Sequence, residues 1–424
     1  VHYMRKHAAA TPGKEGRRRE SQAFARLGLL YLDIGRHAAA RRELDRALAL
    51  ARQAEDVLCE SEALRLLATL LMNVGKNIEA LEVALSALDV LGSPTETTST
   101  SARDQLLARA QALNAVGNVH VHTGHLRESA SSYAEALVIY RRLSARRYEA
   151  ATLNNMGWVF VGLGEHEEAL GHYKRSLRLA QELGDRAGIG VKLGNIGQTY
   201  AELGDFTRAR RYLEKAIEIH TALADQPGLA DALISLAQVS LREGKVGEAD
   251  EQLERGLELA SETRNRYQEI RALVYLAFCR LERGGAPEAA LELAQSATRL
   301  AREAEIANGE VYGLCAEALA LGRAGRHQEA LSRSTQAVTL FDSGRDVDTP
   351  EEVLFIHARA AKAAGATSVA HEALRRAHAE VVRKSRRLRD EGWRARYLGA
   401  PPARDIVAAA RKAGLDEPDA SSVA

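Results

Sequence analysis

Three imidazoles crowd together at His120, His122 and His125, in the run HVHTGH. Ring nitrogens grouped beside a turn could chelate zinc or nickel. The surrounding pattern speaks for packing instead. His120 fills a slot that Tyr31, Phe160 and Tyr200 occupy at matching points along the chain, and His37, His166 and His327 share another with Phe206. Neither a metal nor any other cofactor is therefore expected. Gly188-x-Gly190-x-x-Leu193-Gly194 imitates a dinucleotide-binding loop, but its third glycine is displaced and no strand leads into it. No GxxxxGK[ST], HExxH or GxSxG run is present, so no residue is assigned as catalytic and the chain is read as a non-enzyme. Cys59, Cys279 and Cys315 stand far apart in apolar stretches, as free thiols buried in a reducing compartment would. One strongly basic block runs from Arg375 to Arg396. It could touch nucleic acid or an acidic partner, but it reads better as the solvated face of a terminal helix.

The elements that would position these residues show themselves through repetition. Turn glycines recur at Gly35, Gly75, Gly124, Gly164, Gly204, Gly244, Gly284, Gly325 and Gly365. From Gly124 through Gly284 the interval is 40 residues each time, a self-similarity that marks a repeat architecture. The interval from Gly75 to Gly124 is 49, and its excess lies in the Ser/Thr-rich run GSPTETTSTSARD at 92–104, expected to be a flexible loop; the doubled Gly284-Gly285 is a one-residue insertion in a turn. Eleven residues before the turn glycine stands a large apolar residue, as at Leu153, Leu193 and Leu233. Seven before it stands Gly or Ala, as at Gly157, Gly197 and Ala237, and Ala recurs five and twelve after it, as at Ala209 and Ala216. Two helices that cross closely need this arrangement, because a larger side chain at the crossing pushes the axes apart. Asp185, Asp225, Asn265 and Thr349 are expected N-caps, the last followed by Pro350, Glu351 and Glu352. Each unit is thus a pair of helices of about 15–18 residues around a glycine turn.

This grammar resembles the tetratricopeptide repeat family. The match is most literal in Leu153-x2-Met156-Gly157-x2-Phe160…Ala169-x3-Tyr173 and in Leu193-x2-Ile196-Gly197-x2-Tyr200…Ala209-x3-Leu213. The 40-residue period departs from the family's usual 34 and is similar to the long-helix variant of kinesin light chains, cell-polarity adaptors and many bacterial regulators. HEAT and armadillo arrays share the longer period but lack this Gly/Ala register. The resemblance implies an all-α fold: a right-handed α–α superhelix, or solenoid, of about nine helix–turn–helix repeats, whose first helices line a concave groove. The expected organisation is a basic N-terminal segment at 1–20, two units at 21–91, the loop at 92–104, seven units at 105–380, and a basic capping helix and tail at 381–424. Val1–Ala10 falls where the second helix of an earlier unit would lie, as in a truncated repeat. Residues 371–398 read as one long basic helix closing the array, followed by a short segment at 405–413.

Nine and six residues before each turn glycine, helical spacing places side chains opposite the Leu/Gly packing pair. These slots hold Asn155 and Trp158, Asn195 and Gln198, Ser235 and Gln238, and Tyr275 and Phe278, with Asn118 one unit earlier. Asn and Gln are mediocre helix formers with no packing reason to recur there. A row of amides can hydrogen-bond the main chain of an extended peptide, and in the resembled family asparagines at matching slots clamp peptide backbones. Asn118, Asn155, Trp158, Asn195, Gln198, Ser235, Gln238 and Tyr275 are therefore the expected peptide-binding residues. Bulk properties agree: the net charge is only +1, so no overall field attracts nucleic acid. No uncharged apolar run approaches the ~18–20 residues of a membrane helix, and the basic N-terminus has no apolar core of the signal-peptide kind. The expected protein is a cytoplasmic interaction module with a protein or peptide partner and no membrane or nucleic-acid partner; self-association stays open. Its alternatives are the C-terminal sensory part of a larger bacterial signalling protein, a Ser/Thr kinase or ATPase-type transcription regulator, or a receptor for signalling peptides.

Overall fold

A computed structural model describes residues 13–92, 100–344 and 347–415. Among these residues the regular structure is entirely α-helical, and the chain divides into two compact units, 1–163 and 164–424. The first holds α1 (Lys14–Asp33), α2 (His37–Ala54), α3 (Val57–Asn73), α4 (Asn77–Asp89), α5 (Thr100–His122), α6 (Leu126–Arg142) and α7 (Arg146–Gly162). The second opens with α8 (His166–Glu182), α9 (Arg186–Glu202), α10 (Phe206–Ala222), α11 (Gln226–Arg242), α12 (Val246–Glu262), α13 (Arg266–Glu282) and α14 (Pro287–Glu303). It continues through α15 (Ala307–Arg323), α16 (His327–Asp342), α17 (Pro350–Ala363), α18 (Thr367–Arg387), α19 (Glu391–Gly399) and α20 (Ala403–Lys412). Most of these helices are 17 residues long, as α9 through α13 show.

Within each unit consecutive helices pack as antiparallel pairs, and second helices also lean on the next pair. First helices touch one another directly: α1 with α3 and α3 with α5 in one unit, and α9 with α11, α11 with α13, α13 with α15 and α15 with α17 in the other. They form a continuous layer in each unit, and that layer carries the slots singled out by the repeat register.

The glycine turns follow from backbone chemistry. Gly204 has φ +74, a left-handed conformation that side chains with a Cβ resist. Its N–H donates to the Ala201 carbonyl, and the Asp205 N–H reaches back to Tyr200 O at 2.9 Å, closing the C-terminus of α9. Asp205 then accepts from the Arg208 N–H and caps α10. The expected caps Asp185, Asp225 and Asn265 each accept from the backbone N–H three residues on. Thr349 sits at the N-cap of α17 but makes no side-chain cap. Its hydroxyl lies 3.3 Å from the Tyr312 hydroxyl, which also accepts from the Thr349 N–H.

At the crossings the small residues do what the register demands. Ala209, Ala216 and Leu213 are completely buried, and a Cβ on Gly197 would stand 2.7 Å from Leu213 Cγ and 3.1 Å from the Ala209 carbonyl oxygen. Leucine at Gly197 would overpack this contact at a cost of about 1–3 kcal/mol. All three cysteines are buried free thiols, and burial pushes Cys59 and Cys279 up to about 11.

Two readings of the sequence change here. The Ser/Thr-rich stretch at 92–104 is not a loop throughout, because α5 begins at Thr100; residues 93–99 lie outside the described residues, as do 1–12. The tail is not one helix from 371 to 398. α18 ends at Arg387, Leu388 turns extended with ψ 115, and Asp390 caps a separate α19 by accepting from the Trp393 N–H. The basic run misleads because most of its residues tolerate a helix, but Asp390 and Gly392 mark the break and contacts distant in sequence fix the corner.

Candidate functional site

In the first unit the candidate face lies on α5 and α7. Asn118 Oδ1 accepts from the Tyr133 hydroxyl at 2.6 Å and from Asn155 Nδ2 at 3.4 Å, tying α5 to both α6 and α7. One turn earlier, Thr152 Oγ1 donates to Asn114 Oδ1 at 3.1 Å. Burial pushes the Tyr133 phenol up to about 12, so it remains a proton donor to Asn118 at neutral pH. Trp158 projects from the same face and is 46% exposed, an unusual fraction for an indole in a packed array.

In the second unit the slots fall on α9, α11 and α13. Gln198 Nε2 donates to Ser235 Oγ at 2.6 Å and reaches Asp231 Oδ2 at 3.5 Å. From the far side Arg271 pairs with Asp231 at 2.5 Å and donates to Ser235 Oγ at 3.3 Å. A polar ladder Gln198–Ser235/Asp231–Arg271 therefore crosses three successive first helices. Burial alone would lower the Arg271 pKa, but Asp231, Tyr267 and Tyr275 hold it above the ordinary guanidinium value. Its guanidinium also lies over the Tyr267 ring, 5.6 Å from the centroid. Tyr275 meets Phe278 edge to face at 5.7 Å, and burial raises its phenol. Asn195 and Gln238 are half-buried on the same helices.

The expectation that these amides have no structural work needs correcting. Asn118, Asn155 and Gln198 stitch neighbouring first helices together, so the register keeps amides partly because a short donor–acceptor pair spans adjacent helices there. The sequence reading also missed Asp231 and Arg271. Each stands four residues before a recognised slot, Ser235 and Tyr275 respectively, and extending the inner stripe by one helical turn would have found both.

Across the second unit, Arg242 at the end of α11 pairs with Glu352 of α17 at 3.2 Å. Nearby, Lys384 of α18 pairs with Glu351 at 2.8 Å. His166 Nδ1 lies 3.4 Å from Glu202 Oε2. Burial, with a smaller push from Lys384, takes His166 down to about 3, and burial takes Glu202 up to about 8. Both groups favour their neutral forms. Of the clustered histidines, His120 and His125 meet edge to face at 5.9 Å, His125 Nδ1 lies 2.8 Å from Thr123 Oγ1, and His122 and His125 are exposed.

Two stretches, 108–182 and 188–262, match one tetratricopeptide repeat family model, and 21–53 matches another. Residues 239–308 match the model of anaphase-promoting complex subunit 5. A search of curated proteins returns no match. Among solved structures, the apo form of RapI is similar with a TM-score of 0.59 and 12% identity, over 86% of this chain and 98% of that one. A Rap protein complexed with Competence and Sporulation Factor gives 0.53 and 20%, over 74% and 86%. A Signal Transduction ATPase with Numerous Domains from Pyrococcus horikoshii, bearing a tetratricopeptide repeat sensor, gives 0.51 and 14%, over 78% of this chain and 50% of that one. At these identities the likeness concerns the fold alone.

Proposed function

Because the chain belongs to the tetratricopeptide repeat family, we propose that it is a non-catalytic, cytoplasmic interaction module whose first-helix layers bind a peptide segment of a partner. The carrying observation is the recurrence of amides at the inner slots of neighbouring first helices: Asn118 and Asn155 in one unit, Asn195, Gln198 and Gln238 in the other. Trp158 and Tyr275 share those slots and would add two aromatic surfaces, whereas Ser235 is buried and serves the face by accepting from Gln198 and Arg271. Amides that already bridge helices keep further donor and acceptor capacity, since each carries two donors and an oxygen with two lone pairs. A peptide main chain laid along such a row is recognised without a strict side-chain code. Repeats of this family are generally interaction modules, and one similar protein was solved complexed with a Competence and Sporulation Factor.

The test treats each unit separately. A partner segment is first identified by affinity capture with mass spectrometry and made as a peptide. Each lost amide contact should remove about 0.5–1.5 kcal/mol, so Asn195→Ala with Gln198→Ala should weaken binding by about 10- to 100-fold. Asn155→Ala, in the other unit, should weaken it about 2- to 10-fold if the peptide reaches that face. Titration calorimetry showing full affinity in folded variants of both units would remove the reading.

The match to half of a signal transduction ATPase favours a second reading, in which these repeats are the sensory portion of a larger signalling protein. The coding sequence upstream of Val1 decides it: an ATPase or kinase domain in frame supports it, and a start codon at Val1 or just before it rejects it.

A further inference from the structure

The sharpest long-range feature of the second unit is how its C-terminal segment meets the turn edges of three earlier repeats. Glu167, at the start of α8, accepts from two consecutive backbone N–H groups, Arg389 at 2.8 Å and Asp390 at 2.9 Å. Beside it Glu168 pairs with the Arg389 guanidinium at 3.0 Å. One repeat on, Tyr200 receives Trp393 edge to face at 6.5 Å, and Asp205 lies 3.6 Å from the Arg396 guanidinium. Gly204 lets this segment come close: a Cβ there would stand 2.8 Å from the Arg396 carbonyl oxygen and 2.9 Å from Ala400 Cβ. At the third edge, Arg242 donates to the Pro401 carbonyl oxygen.

Two properties separate this contact from ordinary end-capping. It is polar and charge-complementary: three carboxylates at the edge meet arginines and free N–H groups of the segment. Its apolar part is small: within 388–402 the buried apolar residues are Leu388, Tyr397 and Ala400. Further apolar attachment lies beyond it, in α20, where Ile406 and Ala410 are fully buried and the helix packs on α18. Local elements held by exposed ion pairs and few apolar contacts open at low free energy.

We propose that the turn edge formed by Glu167, Glu168, Tyr200, Gly204, Asp205 and Arg242 is a docking surface for a short basic helix with an aromatic anchor, filled here by the chain's own residues 388–402. The segment is exchangeable. Another protein's helix with the same features, an N-terminus whose N–H groups meet Glu167, an arginine toward Asp205 and an indole toward Tyr200, competes for the site. This surface lies along the turn edge rather than on the amide row, so it stands or falls apart from the peptide-binding reading above.

Hydrogen exchange on the intact chain tests the exchangeability. Glu167→Ala should speed exchange of residues 391–399 by about tenfold or more while α18 keeps its protection. Salt near 1 M, where the Debye length falls to roughly 3 Å, should act in the same direction. A second experiment weakens the internal occupant: full-length Arg389→Ala/Arg396→Ala should take up a fluorescent peptide of residues 388–402, and adding Glu167→Ala should abolish the uptake. Asn195→Ala/Gln198→Ala should leave uptake unchanged. The proposal is overturned if 391–399 exchanges as slowly as α18 in both the wild type and Glu167→Ala, or if the weakened chain takes up no peptide.

Discussion

At the residue scale, the repeat register divides side chains into those that must be small and those that must be polar. Gly197 is small because Leu213 and the Ala209 carbonyl crowd it. Gln198, beside it, is polar because Ser235 and Asp231 lie on the next first helix. Spacing alone discloses the first demand and only half of the second, since an inner-facing amide looks the same in sequence whether it meets a ligand or a neighbouring helix. Glu202 carries a demand that spacing does not disclose. Burial raises its carboxyl to about 8, against opposing contributions from Lys384 and Arg242 and supporting ones from Asp348 and Glu351. A folded-state pKa above the unfolded value of 4.5 means stability present at low pH and lost as pH rises from 4.5 through 8. Replacing Glu202 with Gln keeps the neutral shape and removes the titration. Chemical unfolding of Glu202→Gln should match the wild type near pH 4 and exceed it increasingly toward pH 8. The gain is smaller than full burial would give, because 36% of the side chain still meets solvent. A pH-independent difference would remove this account.

At the element scale, the helices were legible because 40-residue spacing and small-residue crossings repeat, and because Asp and Asn mark several of their starts. The turns between repeats were less so. The glycine turns within repeats announce themselves, but the left-handed positions linking one repeat to the next hold Glu55, Gly92, Ser144, Gly184, Ala224, Arg264, Glu305 and Gly344, at φ +54, +62, +52, +67, +52, +56, +55 and +90. Only three of these eight are glycine, so residue type often hides a conformation that the backbone nonetheless repeats. Left-handed backbone costs an L-residue about 1–2 kcal/mol, and glycine avoids that strain while losing roughly 0.5–1 kcal/mol in unfolded-state entropy. Ala224→Gly should therefore raise stability by up to about 1 kcal/mol, and Gly184→Ala should lower it by a similar amount. Opposite shifts of the unfolding midpoint check this pair, and equal signs would mean that neighbouring contacts, not the backbone, set the cost.

At the scale of the whole molecule, what the sequence could not reveal is contact between residues far apart in order. The basic tail looked like a single helix because arginines and alanines favour one wherever they stand. Glu167, Gly204 and Arg242, more than 150 residues upstream, set where it bends and where it lies. Its capping role rests on the apolar side. Ala377 and Val381 on α18 are completely buried, Leu388 nearly so, and Ile406 and Ala410 close over α18 from α20. A chain ending at Ala370 loses all of these and leaves the surface of α17 that packs against α18 without its cover. At about 25 cal/mol per Å² of apolar surface, an uncovered helix face of a few hundred Å² costs several kcal/mol and invites association. The truncated protein should melt lower than the full chain, bind a hydrophobic dye, and run larger than a monomer in size-exclusion chromatography. A chain ending at Leu415, which keeps α18, α19 and α20, should behave as the full-length protein does. Should the Ala370 truncation stay monomeric and equally stable, the last repeat would be self-sufficient, and residues 371–415 would serve the docking edge rather than the end of the array.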